Sequence, residues 1–379
     1  MKIHGWAEEI RDLGKIKFIV LRSNGKRVQV VYRGPEKIKR EEALIVSGEW
    51  KQSPRGGREF AAEKIEIVGR VYKKLPVDPT GRVPSTLDTR LDYRFLDLRK
   101  DDVRRIFETR SLLVNAFRRE ALRRGFVEIH PPSIVGAATE GGAELFEVKY
   151  FERKAYLAQS PQLYKQMAVI GGLEKVFMTV PVFRAEKHDT AYHLNESWQM
   201  DVEMAFYDDD AAIDLAGEVV EALIKEALGE APKMKVIDFK KAMDILGKED
   251  KDLSREDEKA LCEELGELVM IKSWPRESRP FYTMPNGDGT CRGYDLLYRG
   301  LEILSGAQRV HVPEILEEEL KWRGLDPADF EFYIEAFRFG APPHAGWSIG
   351  LDRLTMQVLG LPNIREAVLF PRDRKRLTP

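Results

Sequence analysis

The chain has 379 residues, 43% hydrophobic and 33% charged, with a formal net charge of -2. That length predicts two or three domains with a sizeable core. No apolar run is long enough for a membrane span, and Lys2, His4 and Glu8 interrupt any secretory leader pattern, so a cytoplasmic protein with no membrane partner is expected. Cys262 and Cys291 are far apart and outside any Cys-x-x-Cys pair, which argues against a disulfide framework and a cysteine zinc site.

Residues 1–75 carry 18 Lys and Arg against 10 Asp and Glu, so a basic module precedes an acidic remainder. Such a module suits a polyanion, with an ordinary solvated surface as the alternative. The runs KIHGWA, KIKFIVLR, RVQVVY, ALIVSGEW and KIEIVG read as five short strands, and Asn24-Gly25 marks a hairpin. Five strands in a basic module predict an OB-fold barrel that stacks nucleic-acid bases on aromatic side chains. On pattern alone, Phe18 reads as core.

Residues 71–100, rich in Pro, Gly and Asp, read as a linker. The expected division is therefore 1–72, barrel; 73–100, linker; and 101–379, a larger domain. Val103, Ile106, Phe107, Val114, Phe117 and Ala121 recur at helical spacing up to Gly125, and the strand FVEIH stops at Pro131-Pro132. Gly141 and Gly142 permit a mobile loop carrying Glu140, and Ser160-Pro161 starts a helix presenting Gln162 and Lys165 one turn apart.

Residues 181–206 predict two antiparallel strands, with Arg184 and Glu186 entering a loop that holds His188, Asp189 and His193, and Asp201 and Glu203 on the return. Residues 209–275 read as charged helices without a site, and 280–311 as strands around a turn at Asn286-Gly287. Asp295 and Glu302, seven apart, share a face only if a bend or bulge intervenes. Beside a triphosphate such a pair would hold Mg²⁺; otherwise a salt-bridged pair is the plainer reading. Pro342 and Pro343 then lead into a strand through Trp347 and Gly350 and a helix bearing Arg353.

Two arginines, Arg184 and Arg353, from separate elements suit a nucleoside triphosphate whose charge grows during reaction. Neither a GxxxxGK[ST] loop nor a strand followed by GxGxxG is present. FRAE with its loop and returning strand, and GWSIGLDR before a helix, resemble motifs 2 and 3 of the class II aminoacyl-tRNA synthetases. QSPQLYKQ, SGAQR, PPHAG and FPRDRKRLTP resemble the archaeal type of the aspartyl family, over nearly the whole chain.

This resemblance implies an α+β protein: an N-terminal OB-fold anticodon-binding barrel and a class II catalytic domain, an antiparallel sheet flanked by helices. The implied activity joins L-aspartate, through an adenylate made with ATP and Mg²⁺, to the 3′ end of tRNA(Asp), with tRNA(Asn) a second candidate acceptor. Motif 1 at residues 103–130 implies a homodimer. The implied ATP residues are Arg184, Glu186, His188, Glu302 and Arg353, with Arg184 and Arg353 catalytic. Glu140, Ser160, Gln162, Lys165, Asp201, Ser305 and Arg309 would bind aspartate. Asp295 and Glu302 would hold the metal, and Phe18 and Gln29 would read the anticodon.

In this reading Lys165 and Arg309 face the substrate's side-chain carboxylate, and Asp201 fixes both cations. Three departures from the pattern stand out. Glu8 occupies a position expected near the first anticodon base, where a carboxylate beside RNA would weaken discrimination between tRNA(Asp) and tRNA(Asn), and Ser197, beside Trp198, replaces an aromatic under the adenine. The link between the third and fourth strands also has no room for the usual helix. An ammonia-dependent asparagine synthetase and a non-catalytic RNA-binding paralogue are the alternatives.

Overall fold

The computed structural model describes residues 1–54, 56–136, 145–187 and 190–379. They divide into two compact units, Met1–Arg105 with Pro379, and Ile106–Thr378.

In the first unit β1 (Lys2–Asp12), β2 (Lys17–Ser23), β3 (Lys26–Tyr32), β4 (Ala43–Gln52) and β5 (Arg58–Gly69) close a barrel in the order β1-β2-β3-β5-β4. Strand alternation turns Ile19, Leu21, Val30, Val46 and Phe60 into the core. Their neighbours take the other face: Phe18 is half-buried and Gln29 exposed on the barrel exterior, so Phe18 is not core. Asn24 and Gly25 have φ of 45° and 70°, the left-handed pair that a tight hairpin turn requires. No helix occupies residues 33–42 between β3 and β4.

Glu8 corrects an expectation. A bulge between Ala7 and Glu9 disturbs the β1–β2 register, and the Glu8 side chain is buried. Arg27 grips its carboxylate from Nε at 2.9 Å and Nη2 at 3.0 Å, and Arg22 lies 3.9 Å away. A buried carboxylate needs such partners, so Glu8 is satisfied inside its own barrel rather than left bare beside RNA. Beyond the barrel, α1 (Leu87–Asp92) and α2 (Arg94–Asp97) fold around the buried Asp97, which pairs with Arg94 at 3.1 Å and Lys100 at 2.9 Å.

Helix α3 (Asp101–Arg123) opens the larger part of the chain, followed by β6 (Val127–Glu128) and a small sheet of β7 (Ile134–Val135), β8 (Glu147–Tyr150) and β9 (Arg153–Leu157). Next come α4 (Gln162–Ala168), β10 (Lys175–Phe183), β11 (Glu196–Ala205), α5 (Asp209–Leu228), β12 (Lys235–Asp238), α6 (Phe239–Leu246), α7 (Arg255–Leu265) and β13 (Leu268–Lys272). The chain finishes with β14 (Gly293–Tyr298), β15 (Leu301–Gln308), α8 (Pro313–Trp322), α9 (Glu331–Phe337), β16 (His344–Gly350) and α10 (Leu351–Leu359).

Eight of these strands form one sheet, ordered β12-β13-β14-β15-β16-β11-β10-β6. It is antiparallel through the middle and parallel at the edge pairs β12–β13 and β6–β10, which makes it mixed. Met200, Val202, Met204, Trp347 and Ile349 point into a core shared with α3, α5 and α10. The intervening Asp201, Glu203 and Ser348 therefore point to the other face, and period-two alternation places the polar set there.

Two local readings change. Within the stretch read as charged helices lie β12 and β13, and Leu268–Ile271 of β13 are all buried, so no alternation marks that strand. The hairpin carrying Asp295 and Glu302 turns at Arg299-Gly300, with φ of 49° and 73°, whereas Asn286-Gly287 lies before β14. A bulge between Leu296 and Leu297 pairs Leu297 with Glu302 and supplies the register change that the seven-residue spacing needed.

Candidate active site

The polar face of β11, β15 and β16 floors two adjoining cavities. One, of about 310 Å³, is lined by Arg184, Glu186, Tyr192, His193, Ser197, Trp198, Glu302 and Arg353, among others. The second, of about 200 Å³, is lined by Ser160, Gln162, Lys165, Asp201, Arg279, Tyr282 and Arg309, among others. Arg184, Gln199, Ser305 and Ser348 border both.

Arg184 leaves the end of β10, and the backbone there is braced by the facing strand. Its N–H donates to Asn195 O at 2.9 Å, while Asn195 Nδ2 donates to Arg184 O at 2.7 Å and Glu186 O at 3.2 Å. Arg353 rises from the first turn of α10. Its guanidinium donates to Glu302 O at 3.1 Å and to His193 Nε2 at 3.3 Å. Because arginine only donates, His193 Nε2 accepts, and Nδ1 then donates to Thr190 Oγ1 at 2.7 Å. The Glu302 carboxylate is 3.5 Å from Arg353. Burial, with the nearby Asp295 and Glu258 carboxylates, pushes its pKa up to about 7 against the pull of Arg353.

The smaller cavity is built on buried ion pairs. Lys165 Nζ donates to Asp201 Oδ1 at 2.7 Å and stands 3.3 Å from Glu203. Arg309 forks onto Glu203 at 2.9 and 3.2 Å and donates to Gly346 O at 2.8 Å. Burial would raise the Glu203 pKa, but Arg309 and Lys165 hold it below the usual carboxylate range. Asp201 instead receives Lys165 and Ser348 Oγ, the latter at 2.9 Å. This corrects one assignment: Asp201 steadies Lys165, and Glu203 steadies Arg309. Ser160 Oγ accepts the Gln162 N–H at 3.3 Å, which sets the start of α4.

Asp295 is buried, with both carboxylate oxygens engaged by Arg279, one of them at 2.9 Å. Arg279 also reaches Ser305 Oγ at 3.4 Å and lies over the Trp274 ring at 4.0 Å. Of the two carboxylates, Glu302 is the one that lines the larger cavity. Among the described residues no group of three or more His, Cys, Asp or Glu is arranged around a metal position. Glu140 and His188 lie outside the described residues.

Of the residues expected from the sequence, the structure brings Arg184, Glu186, Glu302, Ser305 and Arg353 together at one cavity, and Ser160, Gln162, Lys165, Asp201, Ser305 and Arg309 at the other; the residues read without the resemblance gave no basis for that division. The sequence reading missed Arg279, Asn195 and Ser348, and gave Glu203 no role. Glu203 was within reach, since it shares a strand face with Asp201 two residues away. Nothing local marks Arg279, whose partner is 16 residues further on. Tyr192 and Trp198 are aromatic side chains on the larger cavity, where Ser197 stands as well.

Residues 86–374 match the tRNA synthetases class II (D, K and N), and residues 1–68 match the OB-fold nucleic acid binding domain. The chain is 44% identical to an aspartate–tRNA(Asp/Asn) ligase of Methanocaldococcus jannaschii, covering 100% of this chain and 94% of that one. It is 43% identical to an aspartate–tRNA(Asp) ligase of Pyrococcus horikoshii, covering 100% and 96%. Its fold superposes on the asparaginyl-tRNA synthetase of Pyrococcus horikoshii complexed with asparaginyl-adenylate with a TM-score of 0.93, at 32% identity and coverage of 100% and 96%. With an OB-fold barrel ahead of a mixed-sheet catalytic domain and full-length identity above 40%, the chain belongs to the class II aminoacyl-tRNA synthetases and, within them, to the archaeal-type aspartyl-tRNA synthetase family.

Proposed function

We propose that this protein activates L-aspartate with ATP and transfers it to the 3′ end of tRNA(Asp), residues 1–72 reading the anticodon, 73–100 linking and 101–379 catalysing. The observation that carries this is Arg184, which borders both cavities at their junction. A carboxylate in the smaller cavity and an α-phosphate in the larger would meet there, and one guanidinium could bridge them during attack.

Charge supports aspartate. Among the described residues the smaller cavity and its immediate support hold four cations, Lys165, Arg184, Arg279 and Arg309, against Asp201, Glu203 and Asp295. No described carboxylate pairs with Arg184, which would take the substrate's α-carboxylate. Lys165 and Arg309 place two cations beside the substrate's side chain, which favours the carboxylate of aspartate over the neutral amide of asparagine. Lys165 and Arg309 would hold the side-chain carboxylate, Ser305 would border it, and Ser160 and Gln162 would hold the ammonium together with Glu140.

Arg353 would take the γ-phosphate and lie over the adenine, Glu186 would contact the adenine or the tRNA 3′ end, and His188 would lie near the phosphates. Glu302 fits Mg²⁺, being a carboxylate whose charge is under-compensated beside the phosphate-binding arginine; Asp295 would first have to leave Arg279. When bound, the ion supplies charge neutralisation for the departing pyrophosphate. On the barrel, Phe18 would stack on an anticodon base and Gln29 would read it. A homodimer would form through α3, where Phe107, Arg110, Val114, Leu369 and Phe370 line a groove.

Charging of tRNA(Asp) and tRNA(Asn) transcripts with labelled aspartate tests the proposal, alongside aspartate-dependent ATP–pyrophosphate exchange. Burial of Glu8 removes the reason for expecting it to weaken selection against tRNA(Asn), so the two transcripts measure acceptor range directly. Exchange driven by asparagine and not by aspartate would overturn the proposal.

A further inference from the structure

Behind Gln162 runs a chain of fully buried polar groups to which the reaction as described assigns nothing: Gln166, Tyr333 and His344, each 0% exposed. Its polarity can be read from one end. His344 Nδ1 lies 2.7 Å from the Pro342 carbonyl oxygen, which can only accept, so Nδ1 carries a proton. Burial holds the His344 pKa below its ordinary value although Glu203 pulls the other way, so the ring is neutral and Nε2 accepts. Gln166 Nε2, 2.9 Å away, is then the donor. Gln166 Oε1 is left as the acceptor, for Tyr333 OH at 2.9 Å and Gln162 Nε2 at 2.7 Å.

The Gln162 amide is thereby fixed end for end. Its nitrogen is turned back into the protein, and its oxygen is the atom offered to the cavity that Gln162 lines. An oxygen there welcomes a cationic donor; an amide nitrogen would repel one.

We propose that Gln166, oriented by His344 and Tyr333, is a positioning residue that presents Gln162 Oε1 to the substrate's α-ammonium, so that the cavity selects an α-amino acid over the corresponding α-hydroxy acid. This rests on the aspartate-activating reading above. An α-hydroxyl can donate to an amide oxygen or accept from an amide nitrogen, so a misoriented Gln162 harms the amino acid far more than its hydroxy analogue.

The test is aspartate-dependent ATP–pyrophosphate exchange by the full-length protein and its Gln166→Met, Gln166→Glu and Tyr333→Phe variants, with L-malate as competitor. Gln166→Met should raise the KM for aspartate about tenfold while kcat, the KM for ATP and the malate inhibition constant stay within about twofold. Gln166→Glu keeps the acceptor that holds Gln162 Nε2 and should restore the aspartate KM to within about threefold of wild type. Equal losses for aspartate and malate, or an unchanged aspartate KM in Gln166→Met, would overturn the relay. If Gln166→Met does not fold, Tyr333→Phe decides: a rise of about twofold in aspartate KM with malate inhibition unchanged supports the relay, and parallel or absent changes reject it. Wild-type protein without aspartate-dependent exchange would instead overturn the functional reading beneath it.

Discussion

The two adjoining cavities are finished to different degrees. In the smaller one, every cation except Arg184 already has a carboxylate within hydrogen-bonding distance among the described residues: Lys165 on Asp201, Arg309 on Glu203, Arg279 on Asp295. In the larger one, Arg353 and Glu302 stand 3.5 Å apart, and the Glu302 pKa is lifted to about 7. Preformed pairs hold side chains in place before the substrate arrives, which suits discrimination between close analogues. Loosely compensated charges suit a ligand that brings its own phosphates and cation.

Four measurements would break or sharpen this contrast. The largest effect is expected in the finished cavity. Arg309→Leu leaves Glu203 buried without its fork and should cost about 3–5 kcal/mol of stability, read from chemical denaturation, as well as aspartate binding. Arg184→Ala removes a cation that supports no described carboxylate. The fold should survive with an unchanged melting temperature, while exchange falls by about 10²-fold, or about 3 kcal/mol of transition-state stabilisation.

Glu302→Gln should separate stability from function at the open cavity. Its raised pKa means the folded protein keeps a proton that the unfolded chain has released between the ordinary glutamate range and about pH 7. Stability therefore falls as pH rises across that window, and the glutamine variant should lack that slope. At pH 7.5 its melting temperature should equal or exceed that of wild type while exchange drops by about tenfold or more. A parallel pH–stability curve in the two proteins would show that Glu302 is not strained. The smallest effect lies on the barrel: Phe18→Ala should raise the KM for tRNA by the equivalent of about 1–3 kcal/mol and leave pyrophosphate exchange untouched.

Much of the fold was legible before any coordinates. The barrel strands follow from period-two runs and an Asn-Gly turn, and β10 and β11 follow from FRAE and its return. The helix bearing Arg353 follows from the glycine-spaced strand before it. These signals are local, since side-chain alternation and turn chemistry are set by neighbours in the chain. β13 escaped because a strand buried on both faces has no alternation. Glu8 was misjudged because a bulge changes which way a side chain points without marking the sequence around it.

The residue types of the site, two arginines from separate elements, a lysine and glutamine one turn apart and a set of carboxylates, were determined by the sequence alone. Which carboxylate holds which cation was decided only by the tertiary structure. Arg309 and Glu203 are 106 residues apart, Arg279 and Asp295 belong to different elements, and the orientation of Gln162 is set through a histidine 178 residues beyond Gln166. Pairing across such distances depends on strand order and register, and the desolvation that makes each pairing necessary exists only once the sheet and its helices have closed over it.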